Sequence, residues 1–284
     1  MDIKTLAETP PWDWPENAAK TIHETLTHPK SDLADRIIAA QLAGDIVVIN
    51  NHLASDLLAI VRSAGEPDNL RATAALALGP VLEQSFIDEF EDSEDPPISE
   101  SKFREIQDTL HAQFNAPGLS KELRRKILEA SVRAPEPWHP DAIRTAYSSG
   151  DSEWVLTAVF AMRYIPGFSD QILEALRSDD PLIRYEAVHG ASNLGLDGAW
   201  PTIVALITNP RTPKDLLLAA IEAAPNIRPE EAGPLVVDLT NSDDEEIVEA
   251  ADEAMAMAEA ALSAEEEDED DEDEDDETEG NWVN

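Results

Sequence analysis

The sequence predicts an all-α chain built as an α-solenoid of about seven helical hairpins, and three observations predict it. First, small and apolar residues fall at i, i+4, i+7 and i+11 in DPLIRYEAVHGASNLG, as Ile183, Ala187, Gly190 and Leu194, which is one stripe of a helix. Second, the stripe returns at Leu33/Ile37/Ala40/Gly44, Leu70/Ala74/Ala77/Val81, Leu123/Ile127/Ala130/Ala134, Trp154/Ala158/Ala161/Ile165, Leu216/Ala220/Ala223/Ile227 and Ile247/Ala251/Ala254/Ala258. A fixed period of roughly 20 to 50 residues marks stacked repeats. Third, a second short apolar segment follows most stripes: Ile46 to Val61, Phe103 to Phe114, Ala142 to Tyr147, Ile172 to Leu176, Ile203 to Ile207 and Leu235 to Leu239. Ala187 and Gly190 offer almost no side chain, so a neighbouring helix can approach closely, although a mid-helix Gly costs about 1 kcal/mol relative to Ala.

These residues resemble the HEAT-repeat family, and more narrowly the short bacterial HEAT-like repeats also found in phycobilin lyases. In that pattern an Asp opens the first helix, an Arg follows the anchor and small residues finish the stripe. Asp180, Arg184, Ala187, Gly190, Leu194 and Gly195 match it best, Arg71 and Arg124 keep the Arg, and Asp151 and Asp244 keep the Asp. Val155, Leu217 and Val248 stand where the Arg would sit. The resemblance covers about residues 30 to 260 and implies an architecture rather than an activity.

Taken in order, residues 1–29 form an N-terminal segment. Its Pro10, Pro11 and Pro15 forbid a regular helix over 1–17, Trp12 and Trp14 are expected to cover the open end of the first repeat, and a helix follows from Asn17 to Thr27. The solenoid occupies residues 30–263. An acidic insertion at about 86–101, FIDEFEDSEDPPISES, stretches one anchor spacing to 53 residues. It lacks the ordered oxygen ligands and sharp-turn Gly of a Ca²⁺ loop, so an exposed loop is expected. Pro201, Pro210, Pro213, Pro225, Pro229 and Pro234 are expected between helices or at their starts. Residues 264–284 carry EEEDEDDEDEDDETE, which buries no apolar area, repels itself and is expected to be disordered; Trp282 near its end is a candidate docking tip.

Sixty acidic residues against twenty basic ones give a net charge of −40, which opposes binding to nucleic-acid phosphates or anionic membranes. With no cysteine there is no disulfide framework or thiolate chemistry. No stretch approaches the roughly 20 apolar residues of a membrane span, and the expected location is cytoplasmic. No GxSxG, HExxH, P-loop or dinucleotide fingerprint is present, so neither an enzyme nor a cofactor is expected. The six histidines fall one per region; His23 and His28 are expected at the surface, with no third ligand at helical spacing to make a metal site.

Positive charge gathers once, at Lys121, Arg124, Arg125, Lys126, Arg133 and Arg144 around Trp138 and His139. Three consecutive cations on a helix lie 100° apart and cannot share one ligand, so pairing with neighbouring acids competes with an anion-receptive patch on an aromatic floor. Arg163, Tyr164 and Tyr185 complete the candidate partner-binding set, while Trp154 and Phe160 are expected in the core. The function expected is a monomeric, non-enzymatic scaffold that holds a protein or peptide on the face lined by the second helices. The alternatives are an acidic chaperone or nucleic-acid mimic for a basic partner and, least supported, an enzyme of the phycobilin-lyase or DNA-glycosylase type.

Overall fold

The computed structural model describes residues 1–88, 90 and 96–278, with side chains to residue 264. Its helices are α1 (Ile3–Glu8), α2 (Ala18–Thr27), α3 (Leu33–Ala43), α4 (Asn51–Arg62), α5 (Asp68–Ala77), α6 (Gly79–Ile87), α7 (Glu100–Phe114), α8 (Lys121–Ser131), α9 (His139–Tyr147), α10 (Ser152–Met162), α11 (Ser169–Ala175), α12 (Pro181–Asn193), α13 (Trp200–Thr208), α14 (Lys214–Ile227), α15 (Pro229–Val236) and α16 (Glu245–Thr278). No strand occurs among the described residues. They form two compact units, residues 1–165 and 166–284. Among the described residues no helix is long and apolar enough to cross a membrane. The expected disorder of the acidic tail concerns residues whose side chains, and from 279 onward whose backbone, lie outside the described residues.

Within the first unit the stripe helices stack in sequence, α3 on α5, α5 on α8 and α8 on α10, while α2, α4 and α7 pack in turn as a second layer. Within the second unit α12, α14 and α16 repeat the first layer and α13 and α15 the second. The buried stripes explain the stacking. Leu123, Ile127, Ala130 and Ala134 are fully buried, as are Ala158, Ala161, Ala220 and Ala251. At Gly44 the absence of a side chain is obligatory, because a Cβ built there would fall on the backbone carbonyl of Ala77, a stripe residue of the next hairpin. A Cβ at Gly79 would lie 3.4 Å from the Cα of Ala130 and closer still to the Arg133 side chain. At Gly190 the neighbour is the side chain of Ile172 on α11, 3.3 Å away.

The capping residues follow the expected grammar. Asp32, Asp151 and Asp180 each accept a backbone N–H from the first turn of the helix they open, satisfying donors that a helix start leaves free. Near three of the anchors an Arg closes the other end. Arg36 Nε donates to Leu26 O at 3.1 Å, Arg71 Nη2 to Val61 O at 2.9 Å and Arg124 Nη2 to Ala116 O at 3.1 Å. Each places a cation at or just beyond the C-terminal end of the preceding second-layer helix, where carbonyls and the helix dipole favour it. Gly195 supplies the left-handed residue (φ 54°) after α12, and Leu196 N–H reaches back to Ala191 O. A repeated brace joins first helices: Lys121 holds Asp151 and Glu153, and Lys214 holds Asp244 and Glu246, thirty and thirty-two residues on in each case.

Several expectations are corrected. Residues 3–8 form α1 within the nine residues that precede Pro10; Ile3 and Leu6 cover the end of the first repeat. Trp14 shares that role, donating from Nε1 to Thr9 O at 2.8 Å and Leu6 O at 3.0 Å, whereas Trp12 is 80% exposed. Leu33 is exposed because no earlier stripe packs on its end of α3, and Ile46 and Val47 sit in an exposed turn before α4 rather than in it. A helix precedes the insertion: α6, started by Gly79 and Pro80 and packed on α8, runs into the expected loop as far as Ile87, and Glu100 and Ser101 already begin α7; the acidic residues 89 and 91–95 lie outside the described residues. Pro225 and Pro234 lie inside α14 and α15. Pro225 is tolerated in the last turn of α14, where its buried ring packs and few helix bonds remain to be lost.

Gly44→Ala is expected to lose roughly 1 to 3 kcal/mol or more, since backbone cannot yield to the new methyl. Gly65→Ala, whose Cβ would meet only the Ser63 hydroxyl at 4.0 Å, should be near neutral. Urea denaturation of the two variants side by side checks this.

Candidate functional site

Sequence reasoning collected nine candidate residues around one basic region, and the structure divides them. Arg125 is buried beneath a polar network: its Nε donates to Thr157 Oγ1 at 2.9 Å, Thr157 donates to Glu129 Oε1 at 2.7 Å, and Lys126 Nζ reaches Glu129 Oε2 at 2.6 Å. These groups tie α8 to α10 and are structural. Arg133 bonds Glu83 at 2.5 Å and lies 5.5 Å from the Phe160 ring centroid, with Arg163 over the same ring at 4.2 Å and Tyr164 beside it. Burial raises the Tyr164 hydroxyl above its ordinary pKa. Arg144 pairs with Asp141 at 2.6 Å on the surface. Tyr185 belongs to the second unit, edge-on to His189, and lines a shallow groove with Leu182, Leu216 and Glu222. Burial, with Glu253 adding to it, raises the Glu222 carboxyl above its ordinary range. Trp282 lies outside the described residues.

Arg124 and Trp138 remain together, in a cleft of about 600 Å³. The second-layer helices make its walls: α7 contributes His111 and Phe114, α9 contributes Asp141, Ala142 and Thr145, and Trp154 of α10 and Arg124 of α8 complete it. Trp138 sits at the N-terminal end of α9 within a cluster of rings. His111 stacks on it in parallel planes at 4.8 Å, Phe114 lies 5.0 Å away and His139 tilts against it at 4.0 Å. Its Nε1 is fixed by Glu136 Oε2 at 3.0 Å. Arg124 bonds Ala116 O through one of its five guanidinium donors. The cleft thus offers an aromatic and apolar lining with one cation, the arrangement that dominates binding hot spots.

His139 supports this wall from within the core. Glu136 N–H donates to its Nδ1 at 2.8 Å, so the ring proton is on Nε2 and points to Ser131 Oγ at 3.1 Å. Burial, with His111 adding to it, lowers its pKa from 6.5 to about 3, and the ring is neutral in the folded chain. Sequence reasoning placed His139 beside Trp138 but gave no reason for burial. It also assigned Trp154 to the core, whereas it is a half-buried cleft wall, and it missed His111 and Phe114. Their i, i+3 spacing put them on one face of a helix; that the face meets Trp138, on the far side of α8 in the chain, is a tertiary fact. His23, expected as a surface residue, instead contacts His52 and Asp56 of α4.

Residues 169–257, which lie wholly in the second unit, match the family of HEAT repeats. No curated protein matches the sequence. Among solved structures, the chain is similar to the YibA protein of E. coli (13% identity, 89% of this chain and 95% of that one, TM-score 0.45). It is also similar to the complex of CpcE and CpcF of phycocyanin lyase from a Nostoc species (18%, 89% and 98%, 0.43) and to human deoxyhypusine hydroxylase in complex with glycerol (16%, 86% and 97%, 0.39). Likeness at this level assigns no activity to this chain.

The neutral His139 sets a pH dependence. Its stabilising contribution is fully present above about pH 6.5 and is lost as pH falls toward about 3, because the unfolded chain takes up a proton that the folded chain refuses. Urea denaturation at pH 7 and pH 5 should therefore show wild type losing more stability than His139→Gln. Carboxylate effects common to both chains cancel in that comparison.

Proposed function

We propose that this HEAT-repeat protein is a non-enzymatic scaffold whose first unit holds an extended peptide segment of a protein partner in the cleft between α7 and α9. The observation that carries the reading is the ring cluster around Trp138 facing a cleft that also contains Arg124. An apolar or aromatic side chain of the partner packs on Trp138 and Trp154, and a carbonyl or carboxylate oxygen accepts from the Arg124 guanidinium. Paired cations elsewhere support this assignment. Arg125, Lys126, Arg133 and Lys121 are each engaged with acids of the chain itself, and Arg124 is the cation that lines the cleft.

The charge of −40 supports a neutral or basic partner body, with nucleic acid and anionic membrane disfavoured. It also supports a second reading, an acidic chaperone or mimic that engages a basic protein through long-range attraction, to which the fourteen carboxylates between Glu265 and Glu279 contribute. The two differ in salt response, since exposed charges are screened beyond about 8 Å at physiological ionic strength.

A peptide library selected on the full-length protein tests the proposal. Thr145 is exposed on the cleft wall, so Thr145→Trp fills the cleft while leaving the core intact. Selected peptides are expected to bind wild type, to lose at least about tenfold in affinity on Thr145→Trp, equivalent to 1.4 kcal/mol, and to bind equally after deletion of residues 265–284. Binding that ignores Thr145→Trp and collapses with the deletion or with added salt would transfer the function to the acidic surface.

A further inference from the structure

Outside the cleft, α2 and α4 bring three metal-ligating side chains to one point. His52 and Asp56 lie one turn apart on α4, hence on the same face, and His23 of α2 meets them. The ligand atoms of the three all lie within 4.8 Å of one another. We propose that His23 and His52 form a binding site for a borderline divalent transition-metal ion of the Zn²⁺ class, with Asp56 as the positioning residue for His23.

The geometry distinguishes this site from a chance meeting of rings. Asp56 Oδ2 is 2.6 Å from His23 Nδ1. With that nitrogen carrying the proton and donating to the carboxylate, the lone pair of neutral His23 is on Nε2, the carboxylate–histidine arrangement that orients metal ligands. Nε2 of His52 faces Nε2 of His23 at 3.4 Å, with the rings tilted 47° and their centroids 4.3 Å apart. Two nitrogens bound at about 2.0 to 2.1 Å to one tetrahedral ion are separated by roughly 3.4 Å. A direct N–H···N hydrogen bond would draw the pair to about 3.0 Å. The observed Nε2–Nε2 spacing fits a shared ion and lies at the long end for a shared proton. In the bound form His52 carries its proton on Nδ1 and both Nε2 lone pairs point at the ion.

The donor set also selects the ion. Two imidazoles suit Zn²⁺, Cu²⁺, Ni²⁺ and Co²⁺, whereas Ca²⁺ and Mg²⁺ seek oxygen. His52 is exposed and His23 half-buried, so water reaches the remaining coordination positions. The ion bridges the N-terminal helix α2 to the first repeat, at a crossing where sequence alone shows only isolated histidines.

Titration of the metal-free full-length chain with Zn²⁺, followed by calorimetry, tests the proposal, with Cu²⁺ electron paramagnetic resonance as a second readout. One high-affinity ion per chain is expected, together with nitrogen hyperfine structure from two imidazoles. His52→Gln should weaken binding at least about tenfold, His23→Gln/His52→Gln should abolish the high-affinity phase, and Asp56→Asn should weaken it about 10- to 100-fold. His52 is exposed, so His52→Gln is expected to fold, which circular dichroism confirms independently. A Zn²⁺ phase that survives His23→Gln/His52→Gln belongs to surface carboxylates and overturns the proposal. So does wild type with no saturable phase, or a Cu²⁺ spectrum without nitrogen coupling.

Discussion

The close approach of successive first helices is the constraint from which the rest of the structure follows. Where Gly44 meets Ala77 and Ala130 lies under Gly79, the interface has almost no side-chain thickness, so backbone packs near backbone. Such contacts fix the offset between hairpins tightly, because interiors are close-packed and do not deform continuously. The fixed offset lets one side chain serve two repeats. Arg36, Arg71 and Arg124 reach helix ends of the preceding hairpin, and Lys121 and Lys214 reach the caps of the following one.

That economy decides where the scarce cations go. A chain with three acids for each base surrounds most Lys and Arg with partners, and the buried Arg125–Thr157–Glu129 network shows a basic residue drawn into the joint between α8 and α10. Burying such a charge is tolerable only because each polar atom is matched. What reads along the chain as a basic patch therefore becomes, in three dimensions, a set of struts. Arg124 differs because the turn after α7 takes one of its donors and its side chain also lines the cleft. α6 and the insertion after it separate the second stripe from α7, whose His111 and Phe114 supply half the aromatic wall. The lengthened repeat thus brings two of the cleft's rings to Trp138.

Much of the architecture was legible in order along the chain. Stripes at a helical period name the buried face, Asp residues name helix starts, and the recurrence of both names a stack, since these are consequences of local geometry and of the need to bury a narrow apolar face. Prolines misled where packing outweighed a lost hydrogen bond, as at Pro225, and the first stripe misled at Leu33, because an end repeat has no predecessor to cover it.

The sequence by itself determined the helical class, the repeat, the small-residue contact face and the excess of negative charge, all properties of neighbours in the chain or of totals over it. The tertiary structure decided which cations are spent on acids, that Trp138 meets His111 and Phe114, that His139 is buried and neutral, and that His23 faces His52 with Asp56 behind it. Most of these depend on distances between segments twenty or more residues apart, or on burial. Neither quantity exists until the hairpins are stacked.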